Sequence, residues 1–145
     1  MSWEEDLDAA QTEYAIKHNL YWEADAAYAI ASDEAAAAEE FYNQKAAEHT
    51  QKLADYNTLK AEIATEMAKR PPVAFNVIGA MLDSLRQLQD EAEGTWTDRQ
   101  NALQDWNNEI TGLQDAESAR SAAEPDLNTA SAALADVLAQ GLQGL

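Results

Sequence analysis

The chain places all five of its tyrosines at positions that differ by multiples of seven residues. Filling the gaps extends this row over most of the first half of the chain: Leu7, Tyr14, Tyr21, Tyr28, Ala35, Tyr42, His49, Tyr56 and Ile63. A sustained repeat of seven keeps one side of an α-helix against a partner helix and favours a left-handed supercoil. We interpret the row as a helix-packing seam. A ligand-stacking or electron-hopping row of tyrosines is the alternative, and nothing else in the sequence supports it.

Local signals predict where this helix begins and ends. Neither glycine nor proline occurs between Met1 and Arg70, and strong helix formers dominate the stretch. Ser2 followed by Glu5 is typical of an N-terminal capping box. The proline pair Pro71-Pro72 ends the helix, because proline disfavours helical geometry in the residue before it, Arg70. These signals predict a first helix over about 3–69 and a turn over 70–73. A break at Ser32, which would give a compact bundle, is the competing interpretation.

The second half of the chain also has a helical pattern. It predicts a second helical arm over about 74–123, with weak points at Gly94 and Gly112. Pro125 is expected to kink or break the arm, leaving a C-terminal helix over about 126–140. No strand alternation occurs. The predicted fold is all-α, an elongated antiparallel helical hairpin or coiled-coil bundle hinged at Pro71-Pro72, with residues 1–145 forming a single helical domain.

Folding the chain back at the prolines predicts which residues meet. If residues pair when their numbers sum to 144, Tyr42 meets Ala102 and Tyr28 meets Ala116. Large side chains then face small ones, as close packing requires. The pair of Ala35 and Glu109 is the unfavourable exception in this register.

The second seam position of the first helix changes along the sequence. The early positions are Trp3, Ala10, Ala24, Ala31 and Ala38, and the apolar residues then move one place, to Ala46, Leu53 and Met67. Such a shift predicts a stutter, a local unwinding, near Tyr42.

Two groups of apolar residues are left over by this hairpin and are candidate interfaces. The first is a stripe on the second arm: Trp96, Leu103, Trp106, Ile110 and Leu113. We expect much of this stripe to face water in a simple hairpin, so that a second copy, another partner or the C-terminal helix must cover it. The second group is Val73, Phe75 and Val77 at the turn. These residues and Ile78 either cap the hairpin core or form a docking tip, an apolar patch flanked by the bases Lys69 and Arg70.

The charge of the chain limits its partners. Acidic residues number 27 against 9 basic ones, for a net charge of −18. Such a chain repels phosphate backbones and anionic lipid, so we expect no direct binding to nucleic acid. No apolar run is long enough to span a membrane. The acidic start at Glu4-Glu5-Asp6 is unlike a secretory signal. We therefore expect cytoplasmic synthesis, with incorporation into a virion or another large assembly as one destination.

Groups that carry catalysis or bind cofactors are scarce. The chain has no cysteine, and its only histidines are His18 and His49. No Glu-x-x-His, EF-hand, glycine-rich phosphate loop or Gly-x-Ser-x-Gly motif occurs. We predict no catalytic residue, no cofactor and no metal site.

Two function classes remain. A non-enzymatic structural or assembly component, self-associating or docking through helical apolar faces, accounts for the missing catalytic groups and the leftover stripe. Subunits of a virion, a secretion apparatus or a filament fit this class equally well, and it implies a homo-oligomer or a larger protein assembly. The alternative is an acidic decoy that imitates nucleic acid and inhibits a DNA-binding protein. A decoy needs acids along one continuous face, whereas residues 41–86 carry a net charge of only +1.

Overall fold

The computed structural model of the protein describes residues 2–69, 71 and 74–143. Two helices account for nearly all of them, α1 (Trp3–Met67) and α2 (Phe75–Gln143). The helices pack against each other as a hairpin, and no strand occurs among the described residues. This confirms the predicted all-α helical hairpin. Arg70, Pro72 and the predicted docking residue Val73 lie outside the described residues.

The start of α1 follows the predicted cap. The Glu5 N–H donates to the Ser2 hydroxyl oxygen at 3.2 Å, and acidic residues occupy the first turn, where the helix dipole favours them. The helix then continues through Ser32 without interruption. The competing interpretation with a break at Ser32 is therefore wrong.

The predicted break at Pro125 is also wrong. Helix α2 runs from Phe75 to Gln143 with Pro125 inside it, so residues 126–140 do not form a separate helix. A proline in a helix interior removes one hydrogen bond and costs about 3 kcal/mol in isolation. Pro125 itself is exposed, whereas Ala123 and Leu127 on either side of it are half-buried. Tertiary packing of these neighbours offsets the local penalty.

Contacts group the chain into two compact units. Unit 1 comprises Met1–Ala35 with Glu109–Leu145, and unit 2 comprises Ala36–Asn108. The two units differ in charge: unit 1 has 15 acidic and 2 basic residues, for a net −13, and unit 2 has 12 acidic and 7 basic residues, for a net −5. Most of the negative charge of the chain therefore belongs to unit 1.

Within each unit, the helices run antiparallel in the predicted register. In unit 2, His49 Nδ1 lies 3.2 Å from Thr95 Oγ1, and these residue numbers sum to 144. In unit 1, Arg120 donates to Asp25 at 3.3 Å, and their numbers sum to 145. The alanines predicted to face Tyr42 and Tyr14, Ala102 and Ala130, are buried. The contacts thus follow the register derived from the tyrosine row.

The tyrosine row lies on the side of α1 that packs against α2. Ala35, His49 and Ile63 are buried, and the other members of the row are half-buried: Leu7, Tyr14, Tyr21, Tyr28, Tyr42 and Tyr56. The row is therefore in the place expected of a packing seam.

The predicted stutter near Tyr42 is wrong. The half-buried second row of α1 stays in phase through Lys45, Lys52 and Leu59. Of the residues predicted after the shift, Ala46 is half-buried as well, whereas Leu53 and Met67 are exposed. The apolar stems of the lysines cover the seam while their ammonium groups reach solvent. The sequence pattern placed this part of the seam wrongly because it considered only apolar residues, whereas lysines occupy two of the seam positions.

Candidate functional site: apolar surfaces of the two units

Unit 2 carries a groove between its two helices. The groove has a volume of about 350 Å³ and is lined by His49, Leu53 and Tyr56 from α1 and by Gln89, Ala92, Glu93 and Trp96 from α2. Leu53 and Trp96 remain 41% and 52% exposed. Soluble proteins rarely leave such side chains together in contact with water without a functional reason. We call this surface the Trp96 groove.

His49 forms the buried inner wall of the Trp96 groove. Its Nδ1 lies 3.2 Å from the Ala92 carbonyl oxygen and 3.2 Å from Thr95 Oγ1. Because a carbonyl only accepts, Nδ1 carries the hydrogen in the contact with Ala92. The Thr95 hydroxyl also donates to the Ala92 carbonyl, at 3.0 Å. His49 thus acts as a hydrogen-bonded core residue that ties α1 to α2 beneath the groove.

A second groove of unit 2 has a different character. It is lined by Phe41, Lys45, Asp98, Asn101, Ala102 and Asp105, three of which are charged. The Trp96 groove has one charged lining residue, Glu93. Unit 2 therefore combines one charged groove with one that is almost free of charge.

An ion pair joins the helices of unit 2. Lys52 Nζ donates to Glu91 Oε2 at 2.9 Å. The hydrogen bond and charge of Lys52 lower the pKa of Glu91, and the same contacts from Glu91 raise the pKa of Lys52. Both side chains are solvent-accessible, so the pair adds specificity of register more than stability.

The predicted stripe on α2 is less exposed than expected. Trp106 is half-buried, and its ring packs on Tyr42 with 5.4 Å between centroids. Arg99 covers Tyr42 as well and donates to its hydroxyl at 3.3 Å. Leu103, Ile110 and Leu113 are also half-buried. Only Trp96 among the five remains largely exposed, so the expectation that much of the stripe faces water is not met by the other four residues.

The described residues of the predicted tip are exposed. Phe75 begins α2 and is 91% exposed, and Val77 is exposed as well. Their exposure is the opposite of what a cap on the hairpin core requires. They are therefore candidates for docking.

Unit 1 has an apolar surface that the sequence analysis missed. Ile16, Leu20, Trp22 and Ile30 on α1 are 49%, 48%, 61% and 59% exposed. The sequence signal for this surface is a second set of apolar residues, which lies on the side of α1 away from the seam. We call this surface the Trp22 face.

A ladder of rings supports Trp22 within the helix. The ring centroids of Tyr14 and His18 are 5.7 Å apart, and those of His18 and Trp22 are 6.1 Å apart. The Trp22 indole N–H donates to His18 Nε2 at 3.1 Å. The polar edge of the indole is thus satisfied by its own helix, and the exposed part of the ring offers an apolar surface.

Two further features are absent among residues 2–69, 71 and 74–143. No group of three or more potential metal-ligating side chains occurs there. Neither helix contains a stretch apolar enough to cross a membrane. No protein-family model, curated protein or solved structure matches the chain.

Proposed function

We propose that this protein is a non-enzymatic assembly component that self-associates through the Trp96 groove of unit 2. The observation that supports the proposal most directly is the joint exposure of Leu53 and Trp96 across one groove. Tryptophan at the centre of an apolar patch commonly contributes a large share of binding energy. The partner we propose is a second copy of the chain.

Charge favours this surface for contact between copies. Two chains of net charge −18 repel each other, and the repulsion is strongest between acidic surfaces. The Trp96 groove has only Glu93 as a charged lining residue and lies in unit 2, which has a net charge of −5. Association through it removes apolar surface from water without burying a set of like charges.

The exposed residues around the groove extend the surface. Leu82 and Phe75 precede Trp96 by 14 and 21 residues on α2, and Met67 follows Leu53 by 14 residues on α1. Multiples of seven place them on the same sides of their helices. All three are exposed. They bring the surface toward the roughly 800 Å² per partner that a stable interface buries.

Light scattering with matched variants tests the proposal. We expect the wild type to be an oligomer and Trp96→Ala to weaken association by about 2–4 kcal/mol, because the central anchor is lost. Phe41→Ala is the control, since Phe41 is an equally exposed aromatic residue in the charged groove of the same unit. Circular dichroism checks that both variants remain helical. A wild-type chain that is monomeric at every concentration contradicts the proposal, as does equal weakening by both variants.

The acidic decoy remains the alternative, with weaker support. A decoy requires acids along a continuous face, and unit 1 carries a net charge of −13. However, the Trp22 face interrupts the acids of α1 in that unit. Competition with DNA for a basic DNA-binding protein, measured at physiological salt, distinguishes this alternative from self-association.

A further inference from the structure

Helix α1 is apolar on two opposite sides between residues 14 and 31. Tyr14, Tyr21 and Tyr28 lie on the side that is half-buried against α2. The exposed side presents Ile16, Leu20, Trp22, Ala26, Ala29 and Ile30, together with the polar residues Asn19 and Glu23. Large apolar side chains exposed together on one side of a helix are typical of a surface that contacts a partner. The Trp22 face therefore has the composition of an interface, although it belongs to the exposed surface of unit 1.

Most charged residues of this segment lie off the Trp22 face. Lys17 pairs with Glu13 at 3.7 Å, and Asp25 pairs with Arg120 of α2 at 3.3 Å. Lys17 and Asp25 are half-buried toward the seam. Within residues 14–31, all of which are described, Glu23 is the only charged residue on the exposed side. Glu23 lies seven residues from both Ile16 and Ile30, which places its carboxylate on the same side of α1, at the middle of the face. Covering the face therefore requires a cationic group that pairs with this carboxylate.

Acidic residues border the Trp22 face at both ends. Asp8 and Glu13 precede it, Asp33 and Glu34 follow it, and all four are exposed. Of these four acids, Glu13 is paired with Lys17. A second copy laid on this face in either direction places acids beside acids, within a unit of net charge −13. Like charges brought together in this way oppose binding. The charge pattern disfavours self-pairing and favours a cationic partner.

From this pattern we infer that the Trp22 face binds an amphipathic helix of another protein, one whose apolar stripe is bordered at both ends by lysine or arginine. Ile16 and Ile30 are separated by about 21 Å along α1, so four helical turns of the partner cover the face. Apolar anchors spaced along one helix are the usual means of such recognition. The exposed ring of Trp22 can also receive a cationic side chain. This binding is separate from self-association through the Trp96 groove.

Calorimetric titration with designed peptides tests the inference. The probe is a helical peptide of about 20 residues with a leucine stripe and lysines at both ends. A peptide of the same composition in scrambled order has the same charge but no apolar face. At physiological salt we expect the ordered peptide to bind full-length protein at least tenfold more tightly than the scrambled one. Equal binding of the two overturns the inference, because it indicates attraction by charge alone.

Matched variants locate the binding. The double change Ile16→Gln and Ile30→Gln should lower the affinity for the ordered peptide at least tenfold, since glutamine is compatible with the helix but removes the apolar anchors. Leu53→Gln in the Trp96 groove should leave peptide affinity unchanged. Circular dichroism verifies that each variant is folded. Unchanged affinity of the double variant overturns the inference, as does a drop in its oligomeric mass, which assigns the face to a second copy.

The two proposals fail separately in these experiments. Trp96→Ala is expected to change mass and to retain peptide binding, whereas the Ile16/Ile30 double variant is expected to do the reverse. A monomeric wild type that still binds the ordered peptide rejects self-association and leaves the Trp22 face as the interface.

Discussion

The indole of Trp3 occupies the space that a side chain at residue 141 would need, so that only glycine fits beneath it. The indole N–H also donates to the Val137 carbonyl at 2.6 Å. Gly141 lies inside α2, where glycine is about 1 kcal/mol less favourable than alanine. The close approach of the Trp3 ring gives a physical reason for glycine at this position.

This contact predicts that the effect of Gly141→Ala depends on Trp3. In the wild type, we expect the change to lower the free energy of unfolding by about 1–2 kcal/mol, because the ring is displaced and its hydrogen bond is lost. In a Trp3→Ala background, the same change should raise that free energy by up to about 1 kcal/mol, since only helix propensity then remains. Urea unfolding of the four chains measures both effects.

Gly112→Ala is the control for this comparison. Nothing lies within 4 Å of a methyl group placed at Gly112, so alanine there should stabilise the chain by about 0.5–1 kcal/mol in either background. Equal effects of Gly141→Ala with and without Trp3 would show that the ring does not constrain residue 141.

The main packing of the hairpin could be predicted from the sequence because one signal determined it. The tyrosines repeat every seven residues, and alanines such as Ala102 and Ala130 lie where close packing needs small partners. The heptad period and the side-chain volumes together define an antiparallel register, and the contact of His49 with Thr95 follows it.

Features that depend on the third dimension could not be predicted in this way. The rule for Pro125 is local, whereas the helix continues there because its neighbours pack on α1. Lys45 and Lys52 belong to the seam although their side chains are charged. The Trp22 face could have been predicted from the apolar residues on a second side of α1, but the heptad row of tyrosines identifies only the side that packs on α2.

Engineered cysteines test the register directly, since the chain has none of its own. Pairs at Tyr42 with Ala102 and at Tyr28 with Ala116 should form disulfides within one chain, because these positions face each other when residue numbers sum to 144. Mobility on a non-reducing gel, with mass spectrometry of the linked peptides, reports the result. A pair at Thr50 and Thr97 is the control, because both residues are exposed. Efficient linkage of the control alone would reject the register.

His49 should contribute more to stability than His18. His49 is buried and hydrogen-bonded across the two helices, whereas His18 is half-buried and bonded to Trp22 in its own helix. We expect His49→Ala to lower the free energy of unfolding by about 1–3 kcal/mol, through a cavity and a lost hydrogen bond. His18→Ala should cost about 0.5 kcal/mol or less. Denaturant unfolding of the two variants compares them, and similar losses would contradict a structural role for His49.

The ion pair of Lys52 with Glu91 predicts a pH dependence with a definite sign. The pKa of Glu91 is lowered in the folded chain, so its contribution is present above the ordinary carboxyl pKa of about 4.3 and is lost as pH falls through the lowered value. The pKa of Lys52 is raised, so its contribution is present below about 10.4 and is lost as pH rises through the raised value. The ion pair therefore stabilises the folded chain at pH values between the two ordinary pKa values of about 4.3 and 10.4.

Glu91→Gln should lower the melting temperature at about pH 7, and the difference from wild type should vanish once the pH falls below the lowered pKa of Glu91. The comparison between variants is essential, because acidification also relieves the repulsion of a chain of net charge −18 and changes the stability of both proteins. Salt should reduce the difference at neutral pH, since both side chains are solvent-accessible. Asp83→Asn is the control, because its partner Arg86 lies on the same helix and both side chains are largely exposed. A melting difference for Glu91→Gln that persists at low pH would show that it arises from packing of the side chain, because the carboxylate is then protonated in wild type and the ion pair no longer exists.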